Sequence, residues 1–170
     1  MFSINGKRKK MKHLLIIFSL LLTSISWSEN VDSKDLVKRD GLYYKKFTDA
    51  LFTGEVEGNE QGSFKDGKRE GLWMWYHDNG QLFGKGEYKD GKEEGPMLWY
   101  YENGQLFLKG AYKDGKREGP WVKYHDNGQL EYERQFKDGK LHGSNLSYSR
   151  DGSVNENDTG MYKNGKKIND

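Results

Sequence analysis

Four glycines, each preceded by aspartate and followed by lysine, stand 24 residues apart at Gly67, Gly91, Gly115 and Gly139. A second set falls midway at the same interval: Gly80, Gly104, Gly128 and Gly152, the first three within HDNGQL, YENGQL and HDNGQL. A fixed period of this size means a repeat architecture, in which one unit buries its apolar side only against its neighbours. Asp-Gly and Asn-Gly between aromatic or aliphatic residues are the strongest short hairpin signals, because tight hairpin loops need positive φ. Each unit holds one of each, so each unit is two short strands and two turns. No stretch after residue 28 carries helical periodicity over a helix's length. The phrase KDGKREG, identical at 65–71 and 113–119 and varied as KDGKEEG at 89–95 and KDGKLHG at 137–143, is therefore a turn with charged shoulders.

The fold this predicts is all-β: an elongated, twisted, single-layer antiparallel meander of hairpin repeats. Units are expected at 71–94, 95–118, 119–142 and 143–166, after a divergent entry repeat at 41–70 and before a short tail at 167–170. Since 24 is even, a side chain keeps its face from unit to unit. Even-numbered Tyr76, Leu82, Tyr88, Tyr100, Leu106, Tyr112, Tyr124, Leu130 and Phe136 are the expected core. Setting Tyr76 opposite Leu82 requires an odd loop, and Asp78-Asn79-Gly80 fits a type I turn with a left-handed glycine. The odd-numbered face carries Trp73, Trp75, Phe83, Trp99, Tyr101, Phe107 and Trp121. Those aromatics either stack across strands to stiffen the sheet or present a partner surface. In the last unit the same face turns polar, at Asn145, Ser147 and Ser149, as a solenoid end requires.

The first 28 residues are expected to be a secretory leader. Lys7, Arg8, Lys9, Lys10 and Lys12 precede the apolar run LLIIFSLLLTSI at 14–25 and the small-residue segment SISWS. The run is short for a membrane span, which takes about 20 residues. Cleavage is expected near Ser28, with export to the periplasm or beyond, and Met11 is an alternative start. Residues 29–40 then read as a linker. Removing the five leader cations takes the formal charge from +2 to −3, so the basic balance belongs to the leader and nothing advertises nucleic acid. With no cysteine, disulfides, thiolate metal sites and thiol nucleophiles are excluded. Mean hydropathy is low at −1.03, yet aromatics make up 14% of the chain, which a disordered polar chain lacks.

The pattern G-P-W-x-x-Y-x-x-N-G-Q-L followed by Y/F-K-D-G-K-x-x-G resembles the bacterial variant of the MORN repeat, in proteins of the YwqK-like antitoxin type. GLYYKK and LFTGEVEG within 41–58 resemble that family's entry segment. The resemblance implies an elongated sheet of successive hairpins. In eukaryotic relatives it implies membrane association, phospholipid contact and dimerisation. The period of 24 departs from the family's usual spacing, and a leader departs from a cytoplasmic antitoxin role.

Enzyme chemistry finds no constellation. GEYKDGK at 86–92 and GAYKDGK at 110–116 match the first part of a phosphate loop, but Glu93 and Arg117 stand where Ser or Thr must hold magnesium, and no helix follows. His77-Asp78 and His125-Asp126 sit on turn shoulders, and Tyr101-Glu102 replaces them in the middle unit, so a structural role is expected. No metal site or cofactor is implied. The expectation is an exported, non-enzymatic module that binds a protein partner through a sheet face. The alternative is an envelope module for glycan or lipid. Carbohydrate- or choline-binding wall repeats place adjacent aromatics at a shorter period, which counts against that class.

Overall fold

The computed structural model describes residues 29–168. The expected leader and its cleavage point lie outside the described residues. Fourteen strands follow one another: β1 (Glu29–Asp32), β2 (Leu36–Arg39), β3 (Leu42–Lys45), β4 (Gly54–Glu57), β5 (Glu60–Lys65), β6 (Lys68–Tyr76), β7 (Leu82–Lys89), β8 (Lys92–Tyr100), β9 (Leu106–Lys113), β10 (Lys116–Tyr124), β11 (Leu130–Lys137), β12 (Lys140–Ser147), β13 (Gly160–Lys163) and β14 (Lys166–Ile168). From β4 to β14 each strand pairs with the next in one twelve-stranded sheet, which β1 extends by lying parallel to β4. Strands β2 and β3 form a separate hairpin. Long meanders of hairpins, repeated every 24 residues, are thus the architecture. Residues 29–40, expected as a linker, instead supply β1 and β2.

The two turns of each unit differ in kind. At the Asp-Gly turn, Lys89 pairs directly with Lys92, and Asp90 and Gly91 both take positive φ, 51° and 83°. That is the two-residue type I′ loop, whose twist matches that of the strands it joins. At the Asn-Gly turn, the Gly80 amide donates to the His77 carbonyl at 2.9 Å and the His77 amide to the Gln81 carbonyl at 2.8 Å. The Asn79 side chain accepts from the Gln81 amide at 2.9 Å, and Gly80 sits at φ 81°. Gly67, Gly91, Gly115 and Gly139 of the first set and Gly80, Gly104, Gly128 and Gly152 of the second all have positive φ.

Neighbouring units are stapled through these turns. Glu70, Glu94 and Glu118 accept from the backbone amides of Asp90, Asp114 and Asp138, at 2.9, 2.8 and 3.0 Å. The Gly91, Gly115 and Gly139 amides donate to the carbonyls of Arg69, Glu93 and Arg117, each at 2.9 Å. The glutamate of KDGKREG is therefore a bond to the next copy of the phrase.

Face assignment is where parity fails. Tyr76 does pair with Leu82, but the next pair is Trp75 with Gly84, leaving Phe83 as an extra residue. Such a bulge flips every later side chain of β7 relative to β6. Tyr88 consequently lies with Trp73 and Trp75, at 6.2 Å from each ring, and not with Tyr76. Tyr112 and Phe136 likewise pack on Trp121, at 5.0 and 6.1 Å. The expected even-numbered core is thus split between the two faces, and Tyr76, Tyr100 and Tyr124 are only half-buried.

The packed face belongs to the tryptophans. Trp73 and Trp121 are 0% and 1% exposed, and Met97 between them is 3% exposed. At the N-terminal end Leu36, Phe52, Val56 and Phe64 complete a cluster with Trp73, so the β2–β3 region covers the first units. At the other end Asn145 and Ser147 are buried although polar. Asn145 Nδ2 donates to the Asp158 carbonyl, and the Ser147 amide donates to Thr159 Oγ1 at 3.1 Å. A polar loop thereby closes the array where a further aromatic unit would otherwise be required.

Because each unit contacts mainly its neighbours, deleting 95–118 whole should keep β-structure while lowering stability. Circular dichroism and a thermal melt would check this. Loss of all β-signal would mean that the units do not stack independently.

Candidate functional site

Trp73, Trp99 and Trp121 each lie over a glycine of the preceding strand, and Met97 does the same, whereas Trp75 faces Glu60. A Cβ built on Gly62 would fall 2.4 Å from Trp73, on Gly84 2.1 Å from Trp99, on Gly86 2.1 Å from Met97 Sδ, and on Gly110 2.2 Å from Trp121. Glycine removes the one atom that would hold the ring off the sheet. In the final unit the sizes reverse: Arg134 pairs with Asn145 and Tyr132 with Ser147. Turn chemistry does not reveal this set, because these glycines lie inside strands β5, β7 and β9.

Arginines close the same stack from above. The Arg69 guanidinium lies 4.3 Å over Trp73 and bonds Glu60 at 2.8 Å. Arg117 lies 4.5 Å over Trp121, and the Trp121 indole N–H donates to the Ala111 carbonyl at 3.1 Å. Such cation–π contacts contribute about 0.5–2 kcal/mol, more as they are desolvated. Where Met97 replaces tryptophan, Glu93 replaces the arginine.

The residues expected to meet a partner therefore divide. Trp73 and Trp121 have no accessible side chain, and for them the expected partner surface is overturned: glycine opposite and arginine above bury the ring. Trp75 and Trp99 are half-buried and stack on each other at 5.1 Å and 29°. Phe83, the bulged residue, packs on Trp99 at 5.0 Å and remains 40% exposed. Tyr101 and Phe107 pair edge-to-face at 5.0 Å. The Tyr101 hydroxyl donates to the Tyr124 carbonyl at 2.8 Å, and burial pushes its pKa up, keeping it a neutral donor.

That bond explains the interchange of histidine and tyrosine. His77 Nε2 meets the Tyr100 carbonyl and His125 Nε2 the Tyr148 carbonyl, both at 3.2 Å. His77, Tyr101 and His125 all tie one unit to the tyrosine carbonyl of the next. Beside them Arg150 bonds the Asp126 carboxylate and holds its pKa below the usual carboxylate range. Among the described residues no group of three or more His, Asp or Glu is placed to hold a metal ion.

The opposite face carries an open groove of about 690 Å³ across β8 to β11, lined by Pro96, Leu98, Pro120, Val122, Tyr124 and Leu130, with Lys109 and Glu133 also on its wall. Side chains of the core prediction, Tyr124 and Leu130, thus line a groove, while residues of the partner prediction form the core.

Comparison with known proteins gives matches to the family described as MORN repeat variant at residues 69–90, 93–114 and 117–138. These three consecutive copies begin at Arg69, Glu93 and Arg117 and run through the hairpins β6–β7, β8–β9 and β10–β11. MORN repeats are generally modules that bind proteins or membrane lipids, and the family is generally non-enzymatic. No curated protein matches the chain. Among solved structures it is similar to a chain in the crystal structure of the GtfA/B complex bound to UDP and GlcNAc, at 12% identity and a TM-score of 0.24. That match covers 88% of this chain and 27% of the other, so this chain spans about a quarter of its length. Among the described residues no helix is long and apolar enough to cross a membrane.

Proposed function

We propose that the protein is an exported, non-enzymatic binding module that holds a protein partner in the groove opposite its tryptophan stack. The observation that carries this reading is the groove itself. It is apolar, uncovered, and built from the repeated positions Pro96/Pro120 and Leu98/Val122, where contiguous exposed apolar surface marks an interaction site. Export rests on the charged, apolar, then small-residue order of residues 7–28.

Two measurements test the two halves. Mass spectrometry of the protein from its producing cells should show a chain beginning near Glu29. An intact N-terminus recovered in membranes removes export. Capture of a defined partner by immobilised protein should fall at least tenfold with Val122→Asp, at unchanged melting temperature, because a carboxylate is then desolvated in the groove. Undiminished capture by this variant places the interaction elsewhere.

A further inference from the structure

Ten consecutive strands, β5 to β14, each place one lysine beside the Asp-Gly or Asn-Gly turn: Lys65, Lys68, Lys89, Lys92, Lys113, Lys116, Lys137, Lys140, Lys163 and Lys166. Strand register sets them in directly opposed pairs, Lys65 with Lys68, Lys89 with Lys92, Lys113 with Lys116, Lys137 with Lys140 and Lys163 with Lys166. Paired residues share a face. The lysines' immediate neighbours Phe64, Arg69, Tyr88, Tyr112, Arg117 and Phe136 pack with the tryptophans, which puts the lysines beside them on the opposite, groove side. All ten are exposed, and none forms an ion pair among the described residues. The stems of Lys68, Lys92 and Lys116 lie against the next turn's glycine, within 3.4, 3.7 and 3.7 Å of a Cβ built there. The row is therefore continuous from hairpin to hairpin.

Like charges directly opposite one another destabilise a sheet. Turn chemistry asks only for Asp-Gly or Asn-Gly and leaves the flanking positions free. Protection of a sheet edge does not explain the lysines either, because nine of the ten strands are interior to the sheet. Asp66, Asp90, Asp114 and Asp138 stand in the turns between pairs, one carboxylate to two ammonium groups. Glu70, Glu94 and Glu118 behind them are engaged with backbone amides. The margin keeps a net positive line although the chain from residue 29 onward is acidic.

We propose that this lysine row binds one chain of an extended anionic polysaccharide. Cations recur at about 4.8 Å per strand over roughly 40 Å, as pairs about 9.6 Å apart, a spacing that offers one ammonium group per strand to the successive charged sugars of a linear polymer. A planar lipid surface fits less well. Strand twist of about 20–25° carries the margin through roughly 200° over ten strands, so a plane meets only a few lysines while a flexible chain follows them all. Single-stranded nucleic acid binds by stacking bases on aromatic side chains beside the cations. Here Tyr76, Tyr100 and Tyr124 stand at the far end of their strands, about 26 Å from the lysines of the same strands. This site is separate from the apolar groove and stands or falls independently of it.

The test uses purified protein and polygalacturonate as probe, with dextran, phosphatidylglycerol vesicles and an oligothymidylate as comparisons. Polygalacturonate should bind, weaken steeply with salt as counterion release demands, and outcompete the other three. Lys89→Gln/Lys92→Gln/Lys113→Gln/Lys116→Gln should lower its affinity at least tenfold, with a melting temperature equal to or above that of the parent. The control Lys38→Gln/Lys46→Gln/Lys85→Gln/Lys167→Gln removes the same charge off the row and should change affinity less than twofold. Val122→Asp should leave it unchanged. Equal loss in both quadruple variants, no binding of polygalacturonate, or tighter binding of vesicles or oligonucleotide overturns the proposal.

Discussion

Replacing Trp121 with alanine is expected to lower the unfolding free energy by about 3–5 kcal/mol, the range for a large aromatic removed from a packed core. The ring is 1% exposed, lies over Gly110, carries Arg117 at 4.5 Å and packs on Tyr112 and Phe136. Alanine leaves a cavity that β9 to β11 close only by bending a paired sheet. It also strands the Arg117 guanidinium over empty space. Tyr100→Ala, by contrast, removes a half-buried ring from the other face and should cost only about 1–2 kcal/mol on the apolar area it covers. Urea unfolding of both variants, read by the midpoint at constant slope, decides between the faces. A larger loss from Tyr100→Ala would restore the even-numbered core that simple parity predicts.

The repeat period, the two turn positions and the meander were legible because they depend on local chemistry. Asp90-Gly91 and Asn79-Gly80 fix their loops within four or five residues, whatever surrounds them. The faces were not legible by counting, because Phe83 is one residue too many for its partner strand and nothing in the spacing of side chains announces it. A signal was nevertheless present across the copies. KREGLW, KEEGPM and KREGPW keep arginine with tryptophan and glutamate with methionine, which is what a ring covered by a guanidinium demands. GKG at 84–86 precedes MLW at 97–99, while YER at 132–134 precedes NLS at 145–147. Small opposite large, exchanged as a pair between units, marks contact across strands. The lysine row was visible as charged shoulders, but only register shows that all ten lysines share one margin and one face.

The exchange of sizes can be reproduced. Gly110→Arg alone should be among the most destabilising single changes in the chain, by about 3–5 kcal/mol, since its Cβ must displace Trp121 from the core. Strain of this kind is not relieved by a rotamer change, because the clash is with the ring's own bridgehead atom at 2.2 Å. Trp121→Asn alone should also be costly, by cavity and by a buried amide without a partner. Together they rebuild at 110 and 121 the pair found one unit later at Arg134 and Asn145, where Arg134 Nε donates to Asn145 Oδ1 at 3.1 Å. The double variant should therefore be less destabilised than the sum of the two single variants, with a favourable coupling of about 1–3 kcal/mol, as residues in direct contact show. A denaturation cycle over the four proteins measures that coupling directly. Simple additivity would mean that glycine and tryptophan occupy these positions for separate reasons, and that the packed face is not held together by the fit of a ring to a bare backbone.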